Sequence, residues 1–295
     1  MVLREEESAQ QCIAQGRQTF RYALSLPPVN VAVRREKTMT TANEVAKQCE
    51  DTLASVLGLA MHLLKSLSFN RKDPQQLFSV CLYTRLFEIA SACKALLEKN
   101  ALIGIPILLR TMFEADIDLT NLMKFRDYSK RMYASFLKEK LRLTKEAASS
   151  KPNPFLTGVR AKRNPTVDLK ETQDELDRLA GERNGPVDIR CRAELADKLD
   201  EYLSIYNMLC LDTHNNIRSL EEWHLEVAGP NDYQAVAFKL SKADLVHYLS
   251  AIPGILLLQT KALADFLGIS SIEFEKYFQE ITVLQQEVKK LPAGE

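Results

Sequence analysis

This 295-residue chain predicts an all-α fold, a multi-helix bundle of seven to nine helices. Three observations carry that prediction. Glycines number 10 and prolines 11, too few for a turn-rich β architecture. Apolar residues recur at three- and four-residue spacing in one stretch after another. The stretch Ala101 to Lys124, ALIGIPILLRTMFEADIDLTNLMK, is apolar on nearly every side, as a helix at the centre of a bundle must be.

In chain order, residues 3 to 25 read as an amphipathic helix ended by Pro27-Pro28. From about Arg35 to Leu67, Val45, Leu53, Val56, Leu57, Ala60 and Leu64 mark one side of a second helix. Asp73-Pro74 is an N-cap followed by proline at the first helical position, so a third helix opens there and runs to Asn100. The central helix follows almost at once, and the two should form an antiparallel hairpin. Its Pro106 falls in the first turn, where a missing N–H is tolerated.

Asp127 to Ser149 gives another helix. The stretch 149–165, SSKPNPFLTGVRAKRNP, has three prolines, a run of basic residues and almost no acids, so it predicts an exposed basic loop. A short polar helix (DLKETQDELDRLAGERNG), a strong amphipathic helix from Ala193 to about Cys210, and a brief extended segment from Tyr233 to Leu240 come next. Helices from Asp244 to Leu267 and from Ser271 to Lys290 close the order. The organisation expected is an N-terminal helical extension over 1–70 and a main bundle over 71–295.

Charge and composition narrow the function. Lys+Arg and Asp+Glu are both 39, which excludes wholesale coating of nucleic acid but not a local basic patch. The six cysteines form no CxxC pair and no Cys/His zinc spacing, and most sit in apolar helical patterns, as buried thiols of a reducing compartment do. MVLREEESAQQ is not a secretory leader, and runs such as AIPGILLL are too short to span a bilayer. The expected location is cytoplasmic, with no membrane partner and no cofactor.

The candidate chemistry lies in two stretches. On the central helix Arg110, Glu114 and Asp118 sit four apart and share a face. Arg110 precedes Glu114, the reverse of the order that favours an exposed helical pair. The pair is either a largely buried register device or an arginine held ready for an anion. The second stretch, Tyr206 to His224, holds two of the four histidines and the only tryptophan. His214, Asn215, Arg218 and His224 cluster there, and Ser219 with Glu222 has capping-box form, which would start a new helix at Ser219. His62 and His247 read as structural.

LLRTMFEADIDLTNLMK and YNMLCLDTHNNIRSL together resemble a family of bacterial helical proteins of unknown function, from about Leu77 to Leu267. That family's pattern is an LLR-(S/T)-x-(F/L)-E helix and a later Y-x-x-(L/M)-(S/C)-x-x-x-H segment. The resemblance puts Arg110, Glu114, Tyr206 and His214 at its polar positions and assigns them no chemistry. Arg218-Ser-Leu-Glu-Glu-Trp-His224 is similar to the motif of the HEPN helical ribonucleases, with Ser219 where Asn, Asp or His is usual. That likeness implies metal-independent RNA cleavage, with His224 or His214 acting on the ribose hydroxyl and Arg218 stabilising the phosphorane. Arg110, Glu114, Tyr206 and Asn215 would line the substrate side.

Two classes of function follow. One is a metal-independent endoribonuclease or RNA-binding protein, and the other a non-catalytic helical module that binds a protein partner; a homodimer is expected in either case. A di-metal carboxylate bundle is the lesser reading, built on Glu221-x-x-His224, Asp244-x-x-His247, Glu88 and Glu114. Its carboxylate helices come before both histidine motifs, which is the wrong order.

Overall fold

The structure is a computed structural model that describes residues 41–149, 153–156, 165–213, 216–229, 232–236 and 240–291. The expected helix over 3–25 and most of the basic loop 149–165 lie outside those residues. Helix α1 is Ala42–Ser66, α2 Pro74–Glu98, α3 Gly104–Lys124, α4 Tyr128–Ala148, α5 Pro165–Gly181 and α6 Ile189–Leu195. A continuous helical run then passes through α7 (Leu199–Glu201), a π-helical segment (Tyr202–Tyr206) and α8 (Asn207–Thr213). Helix α9 (Ile217–His224), a hairpin of β1 (Leu225–Gly229) and β2 (Asp232–Val236), α10 (Val246–Phe266) and α11 (Glu275–Lys290) complete the order. The fold is all-α, and the small antiparallel hairpin overlaps the extended segment expected from Tyr233.

Local chemistry sets the ends of these helices. Thr41 opens α1 with a capping box: its hydroxyl accepts from the Glu44 amide at 3.3 Å, and Glu44 reaches back to the Thr41 amide at 2.6 Å. Asp73 caps α2 ahead of Pro74. Helix α2 stops in a Schellman turn, with Asn100 left-handed (φ 54°) and Ala101 N–H donating to the Leu96 carbonyl at 2.9 Å. That turn sends the chain into α3. A Cβ on Gly104 would meet Leu96 Cδ1 at 2.6 Å, so a larger residue there would have to push aside the end of the Leu96 side chain.

Helix α10 is the wall on which the bundle is built. It packs against α1, α2, α3 and α11, and Leu249, Ile252, Leu256 and Leu263 are almost wholly buried. By length and composition it could cross a membrane, whereas the short run AIPGILLL could not; most of its length is covered by the other helices. Tyr83 and Thr260 share a hydrogen bond of 2.8 Å inside this core. Helices α4 and α5 pair apart from it, around a small cluster of Ala134, Leu137 and Leu179.

Two expectations about packing need correction. Cys49 and Cys93 are buried, but Cys81 and Cys191 are exposed, because their helices turn those positions outward. The single amphipathic helix expected from Ala193 to Cys210 is interrupted. After α6 the chain makes another Schellman stop, with Asp197 left-handed (φ 57°) and Lys198 N–H on the Ala193 carbonyl at 2.8 Å. Aspartate tolerates that conformation better than most residues, so the periodic apolar pattern continues while the helix does not.

Candidate functional site

The α6–α8 segment runs antiparallel to α3, and side-chain bonds pin it at three levels. At the lowest, Arg192 donates to Asp118 Oδ2 at 2.7 Å, the Tyr128 hydroxyl donates to Asp118 Oδ1 at 2.6 Å, and Asn121 donates to the Arg192 carbonyl at 2.8 Å. Burial is the largest influence on Asp118 and raises its carboxyl above the ordinary value of 3.8, against the pull of Arg192. In the middle, Asp116 is wholly buried. Lys198, aimed inward by the turn at Asp197, donates to its Oδ2 at 2.5 Å, and Gln259 of α10 donates to its Oδ1 at 2.5 Å.

At the third level stand Arg110, Glu114 and Tyr206. The Arg110 guanidinium donates to the Tyr206 hydroxyl at 3.0 Å, that hydroxyl donates to Glu114 Oε1 at 2.8 Å, and Arg110 lies 3.4 Å from the same carboxylate oxygen. Arg110 also sits over the Tyr206 ring, 5.3 Å from its centroid, which is cation–π range. Burial, and then the bond to Glu114, pushes the Tyr206 phenol up to about 12. Tyr206 ends the π-helical segment, whose wider turn shifts the register of everything after it.

Arg110 pairs with a carboxylate as expected, and both side chains keep part of their surface open: Arg110 is 29% exposed and Glu114 34%. The expected stripe of three is also divided. Arg110 and Glu114 belong to Tyr206, whereas Asp118 is taken by Arg192 and Tyr128.

The four remaining candidates are not brought to that cluster by anything described. His214 and Asn215 lie outside the described residues; Arg218 is on α9, where its backbone alone is described; half-buried His224 ends the same helix. Helix α9 begins at Ile217 rather than at Ser219. The Ser219 hydroxyl donates to Asp212 Oδ1 at 3.3 Å, and Tyr248 donates to Asp212 Oδ2 at 2.6 Å. His247 next to it is lowered by burial. Among the described residues no three His, Cys, Asp or Glu side chains gather as metal ligands would, so the di-metal set is not assembled there.

The sequence reading missed Asp116, Lys198 and Gln259. Asp116 and Lys198 are lone charges 82 residues apart and give no local signal. It also missed a cleft of about 450 Å³ between α2, α4 and α5, lined by Phe78, Met132, Tyr133 and Leu179 with Lys130, Glu175 and Arg178. Phe78 and Tyr133 are each 47% exposed. Tyr133 and Phe136 stack with centroids 6.1 Å apart. The i, i+3 aromatics of α4 were the available signal, masked by the helix's many charges.

Comparison with curated proteins and with solved structures gives no match. A family model does match, over residues 76–232, just over half of the chain, from the start of α2 through the three-level α3 site to β2. The chain therefore belongs to a family of unknown function (DUF5677).

Proposed function

We propose that this protein is a non-catalytic helical interaction module whose cleft between α2, α4 and α5 seats an amphipathic helix of a protein partner. The observation that carries the reading is the aromatic lining of that cleft, with half-exposed Phe78 and Tyr133 over Met132 and Leu179. Each large apolar side chain that a partner buries there contributes about 1.5–3 kcal/mol. Charges at the rim suit the polar flank of such a helix: Lys130 lies 3.0 Å from Asp127, and Arg178 is held by Glu175 at 2.7 Å. The deeper α3 charges support the same reading, since Asp116 and Asp118 are engaged within the chain rather than presented to a substrate.

The test places a photo-crosslinking benzoylphenylalanine at Tyr133 in cells. A protease-sensitive adduct is expected, and Phe78→Lys should remove it. The cross-linked segment, made as a peptide, should bind the purified protein in helical form and lose at least tenfold in affinity to Phe78→Lys. Absence of any peptide binding overturns the reading.

RNA is the second reading, and a specific observation favours it. The exposed Tyr133–Phe136 stack stands on a helix with six Lys or Arg and two Glu, the composition of a base-stacking surface. An adduct sensitive to ribonuclease instead of protease would select it. Metal-free cleavage of labelled RNA in EDTA, lost in Arg218→Lys and His224→Ala, would extend it to catalysis.

A further inference from the structure

Helix α3 leaves one stripe open along its N-terminal half, through Ile103, Ile107, Arg110 and Glu114. We infer that two copies pack α3 against α3 about a two-fold axis crossing the helix midway between Arg110 and Glu114. The charge pattern is the reason. Arg110 and Glu114 are one turn apart and half-exposed, so the two-fold sets each arginine opposite the other copy's glutamate, twice. Both contacts within the chain fall on Glu114 Oε1, and Oε2 takes neither.

The same operation matches the apolar ends of the face. Ile103 and Ile107, on the N-terminal side of Arg110, are 47% and 48% exposed. Because α7 and α8 run antiparallel to α3, Leu203, 51% exposed and one turn before Tyr206, lies toward the opposite, Glu114 end. The two-fold therefore brings Ile107 of one copy to Leu203 of the other. Arginine at the centre with aliphatic residues around it is the composition of an interface hot spot. Tyr206 holds Arg110 in place beforehand, which lowers the ordering cost on association. This surface is distinct from the α2–α4–α5 cleft and does not rest on the function proposed for it.

Sedimentation velocity on the full chain, at micromolar concentration, tests the inference. A particle of twice the 33.5 kDa chain mass is expected. Arg110→Glu and Glu114→Arg should each run as monomers. Mixed one to one they should associate, because one variant then presents two acids and the other two arginines. A role confined to one chain cannot be rescued by mixing. Ile107→Lys, which breaks no hydrogen bond, should weaken association at least tenfold with an unchanged melting temperature. A monomeric wild type at 100 µM overturns the inference. So does a dimer indifferent to Ile107→Lys, which decides the matter if the charge variants fail to fold.

Discussion

Helix α3 carries two kinds of polar site about one turn apart, and they follow different rules. Asp116 is sealed on all sides, with Lys198 from one partner segment and Gln259 from another. Arg110 and Glu114 are half-exposed and linked through one tyrosine hydroxyl. A sealed charge can do little except fix which residues face one another, since no ligand reaches it and its loss strands its partners. A half-exposed pair keeps hydrogen-bonding capacity for something outside. Charge on a buried helix is thus structural or available according to its depth, not its spacing.

The largest effect is expected at the sealed site. Asp116→Ala should lower unfolding free energy by about 3–5 kcal/mol, because Lys198 stays buried without its carboxylate. Adding Lys198→Met to Asp116→Leu should recover most of that loss. Urea denaturation of the three proteins checks both statements; an equal loss in the single and double variants would mean that α3 needs this charge pair for more than register.

A smaller loss is expected at the half-exposed site. Tyr206→Phe removes the hydroxyl between Arg110 and Glu114 and should cost about 1–2 kcal/mol. A loss as large as that of Asp116→Ala would erase the distinction between the two sites.

The smallest effect is a pH dependence at Asp118. Burial raises its folded-state value above 3.8, so the folded chain holds this proton more tightly than the unfolded chain. Its contribution to stability is full below about pH 3.8 and is lost as pH rises through the raised value. Asp118→Asn removes that dependence. The difference in stability between wild type and variant should therefore move in favour of the variant as pH rises from 3.8, read from urea midpoints at each pH.

The sequence alone determined the class of fold and the places where several helices begin, and it singled out Arg110, Glu114 and Tyr206, which the structure brings together. These are local matters: an Asp73-Pro74 start and an apolar period are written in a few neighbouring residues. It could not reveal that the chain breaks at Asp197, because a left-handed aspartate leaves the apolar period intact. The partners of Asp116 were hidden for a related reason. Lys198 and Gln259 stand 82 and 143 residues away, and only packing of α10 and the α6–α8 segment on α3 brings them there. Depth was the remaining decision of the tertiary structure. Arg110 and Asp116 sit on one apolar helix, but the neighbours that cover Asp116 leave Arg110 partly open, and coverage belongs to the assembled bundle rather than to any stretch of sequence.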